Sequence, residues 1–333
     1  MTAPRVALVT GATGAIGPAV VRELQERGFA VRVFSRRQPA EGVLPPGIEI
    51  ARGELADAAS LRSAVDGADV VIHLAALLHQ FVPPSAALNE RYRHVNVAGT
   101  RDLVQAALAA GAGRIVYLST IAVYGATNGA MFDEGTPPRP DTPYGRTKLE
   151  AETFVTAALR DSAPIGVVLR PAAVYGPRIK GNYRTLAEAI ARGRYVPIGP
   201  GDNRRTLIHE KDLARAVALA ADHPAACGGT FNVSDGQPHR LAEIVDAMYR
   251  AIGRTPPRMR VPVGMARVVA VAGDLLARAV RLRLPITGDS LAKYLEDVAI
   301  DATRIQRVLG FAPAIDLDSG WRDTMAAIRR ADS

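Results

Sequence analysis

The sequence predicts an α/β protein built on a doubly wound parallel sheet, with a smaller lobe at its C-terminal end. Three observations lead to this prediction. Strand-like and helix-like segments alternate through the first half of the chain. The strand-like segments are apolar along their whole length, as expected for strands that helices cover on both faces. Beyond Pro177, glycine and proline become denser and the strands become less regular, as over residues 195–203.

Length and composition fit this architecture. The 333 residues are 48% hydrophobic and 22% charged, so the chain can bury a large core and is not mainly disordered. We expect a first domain over residues 1–177 and a second lobe over 178–333 that faces the substrate. About residues 206–250 are expected to return to the core of the first domain. The single cysteine, Cys227, excludes a disulfide framework.

The elements of the first half follow from short apolar runs and from helix-ending residues. The first run, residues 5–10, is apolar and ends at glycine, and a helix over 15–27 then ends at Gly28. Two more strands and a helix follow, over 30–35, 48–52 and 59–65. The alternation continues with strands 69–74, 114–119 and 165–170 and with helices 96–110 and 144–159.

A glycine-rich loop joins the first strand to the first helix. Gly11 permits the tight turn, Gly14 lets the backbone approach a pyrophosphate, and Gly17 lets the helix pack closely on the strand. The helix N-terminus adds free N–H groups and a positive dipole end. This context predicts a Rossmann-type dinucleotide site whose loop also includes Thr13, Ala15 and Ile16.

The end of the second strand indicates which dinucleotide is favoured. An acid there would bind the ribose 2′-hydroxyl of NAD, but this strand ends in Ser35, Arg36 and Arg37. A guanidinium matches phosphate oxygens, so we expect NADP(H) to be favoured, with NAD(H) still possible. The alternative is that both arginines are solvated surface charges. Glu54 and Leu55, after the third strand, are expected near the adenine.

Four further residues predict a site of proton transfer. Tyr144 and Lys148 are four residues apart, on one face of a predicted helix. A free tyrosine has a pKa of about 10, and a nearby ammonium lowers it, which would let the phenol act as a base. Ser119 and Thr120 end the fifth strand. Their hydroxyls are therefore expected at the carboxyl edge of the sheet, beside the cofactor.

The chain resembles the extended short-chain dehydrogenases/reductases of the NAD-dependent epimerase/dehydratase group over nearly its whole length. Besides the glycine loop and the Tyr144–Lys148 pair, the resemblance is carried by His73-Leu74-Ala75-Ala76, Asn96-Val97-Ala98-Gly99-Thr100, Val123-Tyr124-Gly125, Arg170-Pro171, Val174-Tyr175-Gly176-Pro177, Arg205, Asp212, Leu309-Gly310-Phe311 and Pro313.

The resemblance implies roles for these residues. Tyr144 would be the general acid/base, Lys148 its partner, and Thr120 the donor to the substrate oxygen. Asn96 would be either structural or part of a proton relay. Ala75 and Ala76 would line the nicotinamide side, and the cofactor would also contact Leu74, Pro171, Ala173 and Val174.

The positions after Thr120 bear on the reaction. The dehydratases of this family carry an Asp-Glu pair there, whereas this chain has Ile121 and Ala122, which cannot transfer protons. Epimerisation and keto reduction remain, and the arginines of the second strand favour reduction with NADPH. A UDP-hexose 4-epimerase and a steroid- or flavonoid-type alcohol dehydrogenase are the alternatives. A nucleotide-sensing binding protein is a third, against which the intact catalytic set argues.

Substrate signals lie in the second half of the chain. In the sugar-nucleotide members of the family, an arginine at the Arg205 position binds the diphosphate, and Lys180 and Asn182 could assist it. Ala173 stands where many of those members have Asn, which removes one diphosphate contact. The alternative is a charged, structured loop. The region looks most like bacterial UDP-N-acetyl-quinovosamine 4-dehydrogenase/reductase enzymes, which implies a nucleotide-sugar substrate reduced at a 4-keto group.

The remaining signals limit the partners. The net charge is +8, and arginine supplies almost all of the positive charges. No nucleic-acid-binding module accompanies them. The histidines, His79 among them, show no metal-ligand spacing, so no metal is expected. His73 is expected to pack near the cofactor. His209 lies on an apolar strand and is expected to be a core histidine with satisfied hydrogen bonds.

One apolar segment, residues 261–284, has two interpretations. Arginines and Asp274 interrupt it, so we expect no membrane span. It predicts an amphipathic helix packed on its own domain, with a membrane-surface helix as the alternative. Without a signal peptide at its start, the protein is expected to be cytoplasmic. The family often dimerises, and we expect a homodimer formed through the helices around Asn96 and Tyr144.

Overall fold

The computed structural model describes residues 3–78, 85–127, 129–280 and 288–331. The strands are β1 (Val6–Thr10), β2 (Ala30–Ser35), β3 (Glu49–Arg52), β4 (Val70–His73), β5 (Arg114–Leu118), β6 (Met131–Phe132), β7 (Leu159–Arg160), β8 (Ala163–Pro164), β9 (Gly166–Pro171), β10 (Ala173–Tyr175), β11 (Arg204–His209), β12 (Thr230–Val233), β13 (Pro238–Arg240) and β14 (Ala299–Ile300). The helices are α1 (Gly17–Glu26), α2 (Ala58–Val65), α3 (Ala86–Tyr92), α4 (Gly99–Ala109), α5 (Pro143–Thr156), α6 (Asn182–Ala191), α7 (Glu210–Asp222), α8 (Leu241–Ala251), α9 (Val263–Val280), α10 (Gly288–Leu295), α11 (Thr303–Leu309) and α12 (Leu317–Ala331).

The main sheet confirms the predicted architecture. Within the described residues it has seven strands, all parallel, in the order β12-β9-β5-β4-β1-β2-β3. Helices α1 and α7 bury their apolar side chains against one face, and α2, α4 and α5 cover the other. Strand order reverses between β1 and β4, and ligands of such sheets bind there, beyond the carboxyl ends of the strands.

The second half of the chain divides between the main sheet and a separate layer. Strands β10, β11 and β13 form a small sheet, and α6, α8 and α12 pack around it in a core that includes Tyr175, Met248 and Trp321. The segment between β11 and β13 packs instead on the main sheet. Helix α7 contacts α1, and β12 adds to the edge of the main sheet beside β9. The domain boundary near Pro177 stays a prediction.

Two segments differ from the sequence prediction. The helix predicted to begin at residue 96 is preceded by α3 and by a π-helical turn, Arg93–Ala98, so the helical region starts ten residues earlier. Its start is set by Ser85, whose hydroxyl accepts the Leu88 N–H. The irregular strand expected near 195–203 is reduced to one isolated bridge, between Ile198 and Val261.

The prediction for His209 is correct for its burial and wrong for its hydrogen bonds, which are only partly satisfied. The residue is buried at the end of β11, and its Nδ1 accepts the Lys211 N–H at 3.3 Å. Its Nε2 is also buried but has no hydrogen-bond partner among the described residues. Tyr175 packs edge-on against the ring instead of a polar group. His79 and residues 281–284 of the apolar segment lie outside the described residues. In the part of the chain that the structure covers, no helix is long and apolar enough to cross a membrane.

Replacing Gly17 with alanine is expected to destabilise the fold by about 1–3 kcal/mol. A Cβ at Gly17 would lie 2.1 Å from the carbonyl oxygen of Ala12, so α1 would have to move away from the loop before it. The matched control is Gly264→Ala in α9, where an added Cβ meets no atom within 4 Å. Urea denaturation of both variants checks this, and equal stabilities would contradict it.

Candidate active site

The glycine loop and the start of α1 form a cradle at the carboxyl end of β1. Gly11 has a φ of +73°, and a Cβ there would meet the Ala75 nitrogen at 2.6 Å, so only glycine fits this turn. The N-cap residue of α1, Ile16, makes no side-chain capping bond. The first N–H groups of the helix therefore remain available to an anion. This geometry fits the pyrophosphate of a dinucleotide.

A large cavity lies beyond the carboxyl ends of the main-sheet strands, and its volume is about 1970 Å³. Small-molecule pockets usually measure roughly 300–1,000 Å³, so this one has room for a dinucleotide and a second ligand. Most of the predicted site residues line it, namely Gly11, Thr13, Gly14, Ala15, Ile16, Ser35, Arg36, Glu54, Leu55, Leu74, Ala75, Ala76, Thr120, Tyr144, Pro171, Ala173, Val174, Lys180, Asn182 and Arg205.

Four predicted site residues are not among those that line the cavity. Gly17 packs against Ala12. Arg37 is exposed, and its carbonyl accepts the Ser35 hydroxyl at 2.8 Å. Asn96 and Lys148 are both buried, each with 1% exposure. Of the three residues at the end of β2, Ser35 and Arg36 line the cavity and Arg37 does not.

The end of β2 leaves one guanidinium available to a phosphate. Arg36 lines the cavity, and its Nη1 lies 3.8 Å from Glu54 Oε1. The two side chains are 78% and 62% exposed, so this ion pair is weak in water. The Ser35 hydroxyl is already used by the Arg37 carbonyl. Arg36 is therefore the side chain best placed to meet a 2′-phosphate.

Thr120 presents a hydroxyl donor to the cavity. It follows β5 and caps the short 3₁₀ turn Ile121–Val123, where its Oγ1 accepts the Ala122 N–H at 3.2 Å. Because the oxygen is an acceptor in that bond, its own hydrogen remains free to donate elsewhere. Ser119 differs from the expectation, since its buried hydroxyl donates to Glu152 Oε1 at 2.5 Å. Of the two hydroxyls, only that of Thr120 can serve a substrate.

Tyr144 and Lys148 share one face of α5, but the expected effect on the phenol is wrong in direction. Burial raises the pKa of Tyr144, and Tyr92, whose ring centroid is 6.4 Å away, raises it further. The Lys148 ammonium lies 4.0 Å from the centre of the Tyr117 ring. Burial also lowers the pKa of Lys148 to about 7, while Glu152 opposes that change. The Tyr144 phenol is thus held protonated at neutral pH.

A buried polar network begins at Glu152, one turn beyond Lys148 on α5. Glu152, one turn further along α5, binds Arg170 through both of its carboxylate oxygens, at 3.0 and 2.6 Å. Arg170 also donates to the Tyr124 hydroxyl at 2.9 Å, and that hydroxyl donates to Asn232 Oδ1 at 2.9 Å. Every charged group of the network is buried and paired, as low-dielectric surroundings require.

Asn96 clamps the loop after β4. Its Oδ1 accepts the Leu77 N–H at 2.7 Å, and its Nδ2 donates to the Leu77 carbonyl at 3.1 Å. The same Nδ2 donates to Thr147 Oγ1 at 3.3 Å, which ties the loop to α5. The resemblance implied either a structural role or a proton-relay role for Asn96, and these contacts fit the structural role. The π-helical turn that carries Asn96 is of a kind often found at functional sites.

The far end of the cavity is both basic and apolar. Arg205 lines it, but its Nη2 donates to the carbonyl oxygens of Lys293 and Tyr294, and its Nη1 lies 3.7 Å from Glu296. Lys180 and Asn182 line the same end at the start of α6. Opposite them, α9 and α10 contribute a hydrophobic wall that consists of Ala270, Val271, Leu291 and Leu295.

Two residues that sequence reasoning missed connect parts of the site. Glu152 continues the four-residue spacing of Tyr144 and Lys148, and that spacing was the available signal. Arg178 follows Pro177 directly, and its Nη2 donates to the Thr13 carbonyl at 3.3 Å, which joins the glycine loop to the second lobe. Nothing in the local sequence of Arg178 indicates this contact, because the two residues are far apart in the chain.

The sequence and the fold of this chain are similar to those of several known proteins. A sequence model of the NAD-dependent epimerase/dehydratase family matches residues 7–234. A UDP-glucose 4-epimerase of Vibrio cholerae is 27% identical over 99% of this chain and 97% of that protein. A 3β-hydroxysteroid dehydrogenase/Δ5→4-isomerase of Mycobacterium tuberculosis is 32% identical over 92% and 85%. The solved structure of MoeE5 with UDP-glucose and NAD superposes with a TM-score of 0.75 at 29% identity, covering 98% of this chain and 99% of that one.

Proposed function

Because this chain belongs to the NAD-dependent epimerase/dehydratase family, we propose that it is an NADP(H)-favouring oxidoreductase that reduces a 4-keto group of a nucleotide-activated sugar. The observation that carries the proposal is the position of Tyr144. Its phenol lines the cavity together with Thr120, where it can donate a proton to a newly formed alkoxide. Oxidation or epimerisation would use the same tyrosine as a base, and the preference for reduction comes from Arg36, which lines the cavity at the end of β2 and suits the 2′-phosphate of NADPH.

The residues of the cavity support a simple division of labour. The glycine loop would hold the pyrophosphate of the dinucleotide, whose reduced nicotinamide supplies hydride when bound. The Thr120 hydroxyl donates a hydrogen bond to the substrate carbonyl oxygen. Tyr144 transfers its phenolic proton to that oxygen as the C–H bond forms. Lys148, one turn along α5 from Tyr144, would favour the phenolate as it forms, and Glu152 favours the charged form of Lys148.

The substrate class is supported by the cationic end of the cavity. Lys180, Asn182 and Arg205 lie together there, and such donors suit a diphosphate. The MoeE5 structure, which contains UDP-glucose, has the same fold at 29% identity. The carbonyl and carboxylate partners of Arg205 would have to be exchanged for phosphate oxygens when the substrate binds.

A second candidate function is oxidoreduction of an apolar alcohol or ketone of the steroid type. The observation that favours it is the hydrophobic wall of Ala270, Val271, Leu291 and Leu295. The steroid dehydrogenase of Mycobacterium tuberculosis is also the more identical of the two curated relatives compared above. Epimerisation, suggested by the Vibrio cholerae relative, is the third possibility.

A substrate panel separates these reactions. We would follow the nicotinamide absorbance with NADPH and a UDP-4-keto-6-deoxy sugar, with NAD(P)+ and a 3β-hydroxysteroid, and then assay UDP-glucose for conversion to UDP-galactose without added cofactor. Our proposal predicts turnover in the first assay alone. Turnover only of the steroid would support the second candidate, and conversion of UDP-glucose without net absorbance change would support epimerisation.

The cofactor preference is tested at Arg36. Arg36→Ala is expected to lower kcat/KM for NADPH by roughly 10- to 100-fold, the usual range for a lost charge-assisted hydrogen bond, with little change for NADH. Arg37→Ala is the matched control, because Arg37 is the neighbouring arginine and does not line the cavity. Equal losses with both coenzymes, or the larger loss in Arg37→Ala, would contradict this assignment.

We also propose that the protein is a homodimer that contacts through the helices around Asn96 and Tyr144, as the family resemblance implies. The exposed residues of α4 and α5 include Arg101 and Arg146. Sedimentation equilibrium tests this proposal. A monomer at micromolar concentration would contradict it.

A further inference from the structure

The first half of helix α9, residues 263–271, exposes most of its large apolar residues and buries small ones. Over residues 263–271, Ala266 and Ala270 are buried, whereas Met265, Val268 and Val269 are 59%, 69% and 52% exposed and Val271 is 59% exposed. A helix that is packed only on its own domain directs its bulky residues inward. The outward face of α9 therefore needs another apolar partner, since exposed patches of this kind mark interaction surfaces.

The surroundings of this face are cationic. Residues 252–271 contain four arginines, Arg254, Arg258, Arg260 and Arg267, and no aspartate or glutamate. Arg258 and Arg267 are exposed and form no ion pair with any residue that the structure describes. Met259, between two of these arginines, is 87% exposed. We call the set Arg258, Met259, Met265, Arg267, Val268, Val269 and Val271 the α9 patch.

We propose that the α9 patch docks on an anionic lipid surface. A segment with exposed Met and Val beside arginines that form no ion pair in the described part of the chain has the composition of an interfacial helix, whose apolar side enters the headgroup boundary while its cations meet lipid phosphates. A second copy of the chain fits less well. A two-fold contact through the α9 patch would place arginines opposite arginines with no acid from these segments to offset them.

The location of the α9 patch adds a consequence. Arg267 and Val271 of the patch also line the cavity, and Val271 belongs to its hydrophobic wall. Docking would therefore hold the substrate end of the cavity at the bilayer surface. The inference does not depend on which reaction the site performs, because it rests only on the exposure and charge of residues 252–271.

Vesicle flotation tests the proposal with the full-length protein. Vesicles of phosphatidylglycerol and phosphatidylcholine are compared with vesicles of phosphatidylcholine alone, at low and high salt. We expect binding to the anionic vesicles that high salt weakens, because screening reduces the attraction. Each arginine near an anionic surface contributes about fivefold to the partition coefficient. Arg258→Glu is therefore expected to lower it at least about tenfold, and Val268→Glu with Val269→Glu to lower it further.

Helix α11 provides matched controls, because Arg307 and Val308 are exposed neighbours on it. Arg307→Glu and Val308→Glu are expected to bind vesicles like the unchanged protein. Circular dichroism verifies that all variants are folded. The proposal is overturned if the unchanged protein does not float with anionic vesicles, or if the α9 and α11 variants bind equally. It is also overturned if the Val268/Val269 variant loses a dimer in sedimentation, since that outcome would make a second copy the occupant.

Discussion

Replacing Tyr144 with phenylalanine is expected to lower kcat by about 10²- to 10⁴-fold, the usual contribution of a general acid, without weakening dinucleotide binding. The hydroxyl is lost, so no phenolic proton reaches the substrate oxygen. The ring is retained, so its contact with Tyr92 and the packing of α5 remain. The measurements are kcat with the 4-keto sugar nucleotide and the dissociation constant for NADPH from fluorescence titration.

The control for Tyr144 is Tyr249→Phe, a buried tyrosine in the core of the second lobe that is remote from the cavity lining. It is expected to leave kcat unchanged. If Tyr144→Phe retains more than about a tenth of the original kcat, Tyr144 is not the acid that the mechanism requires.

The second large effect is expected at Glu152. Glu152→Gln should lower the free energy of unfolding by about 3–5 kcal/mol, because the Arg170 guanidinium loses its buried carboxylate partner. Glu150→Gln is the matched control on the same helix. Its ion pair with Arg93 is largely exposed, so about 1 kcal/mol or less is expected. Urea denaturation compares the two, and equal losses would show that the buried network adds nothing.

Glu152 also acts through Lys148, and the pH dependence reveals this. Burial lowers the pKa of Lys148 to about 7 in the folded protein, and the Glu152 charge raises it against that effect. The unfolded value is about 10.4, so the unfolded chain binds more protons between these values and stability rises with pH across that window. In Glu152→Gln the rise begins at lower pH.

The same change shifts the activity profile. In the plot of kcat/KM against pH, the limb controlled by Lys148 lies near the pKa of Lys148 in the free enzyme. This limb should move to lower pH in Glu152→Gln. A role that is only structural would lower stability without moving this limb. If the single variant does not fold, Glu152→Met combined with Arg170→Met removes both charges and is expected to recover part of the stability. Its limb should also move, and an unmoved limb contradicts the role assigned to Glu152.

The sequence predicted the parts of the structure that local information determines. The strands of the main sheet are apolar on both faces, and the glycine loop requires Gly11 and Gly17 for close backbone contacts that any such turn would impose. Those features can be recognised from a few consecutive residues. Thr120 and Tyr144, which the family resemblance singled out, both line the cavity.

Features that depend on tertiary contacts were not predictable in this way. Ser119 follows β5, whereas Glu152 and Arg170 lie in α5 and β9, and their pairing appears only when the sheet and helix pack. The raised pKa of Tyr144 is likewise a result of burial, which local spacing does not reveal. Helix α3 lacks the strong apolar periodicity that would have marked it, and Ser85 alone was too weak a signal.

In the proposed reaction, hydride passes from bound NADPH to a ketone carbon of a nucleotide sugar. NADPH deuterated at both C4 positions of the nicotinamide, with a UDP-4-keto-6-deoxy sugar and NMR of the product, tests this transfer. We expect deuterium at C4 of the sugar in stoichiometric amount with the NADPH consumed. A product without deuterium, or a C4 inversion of UDP-glucose that leaves the labelled coenzyme unchanged, would contradict it.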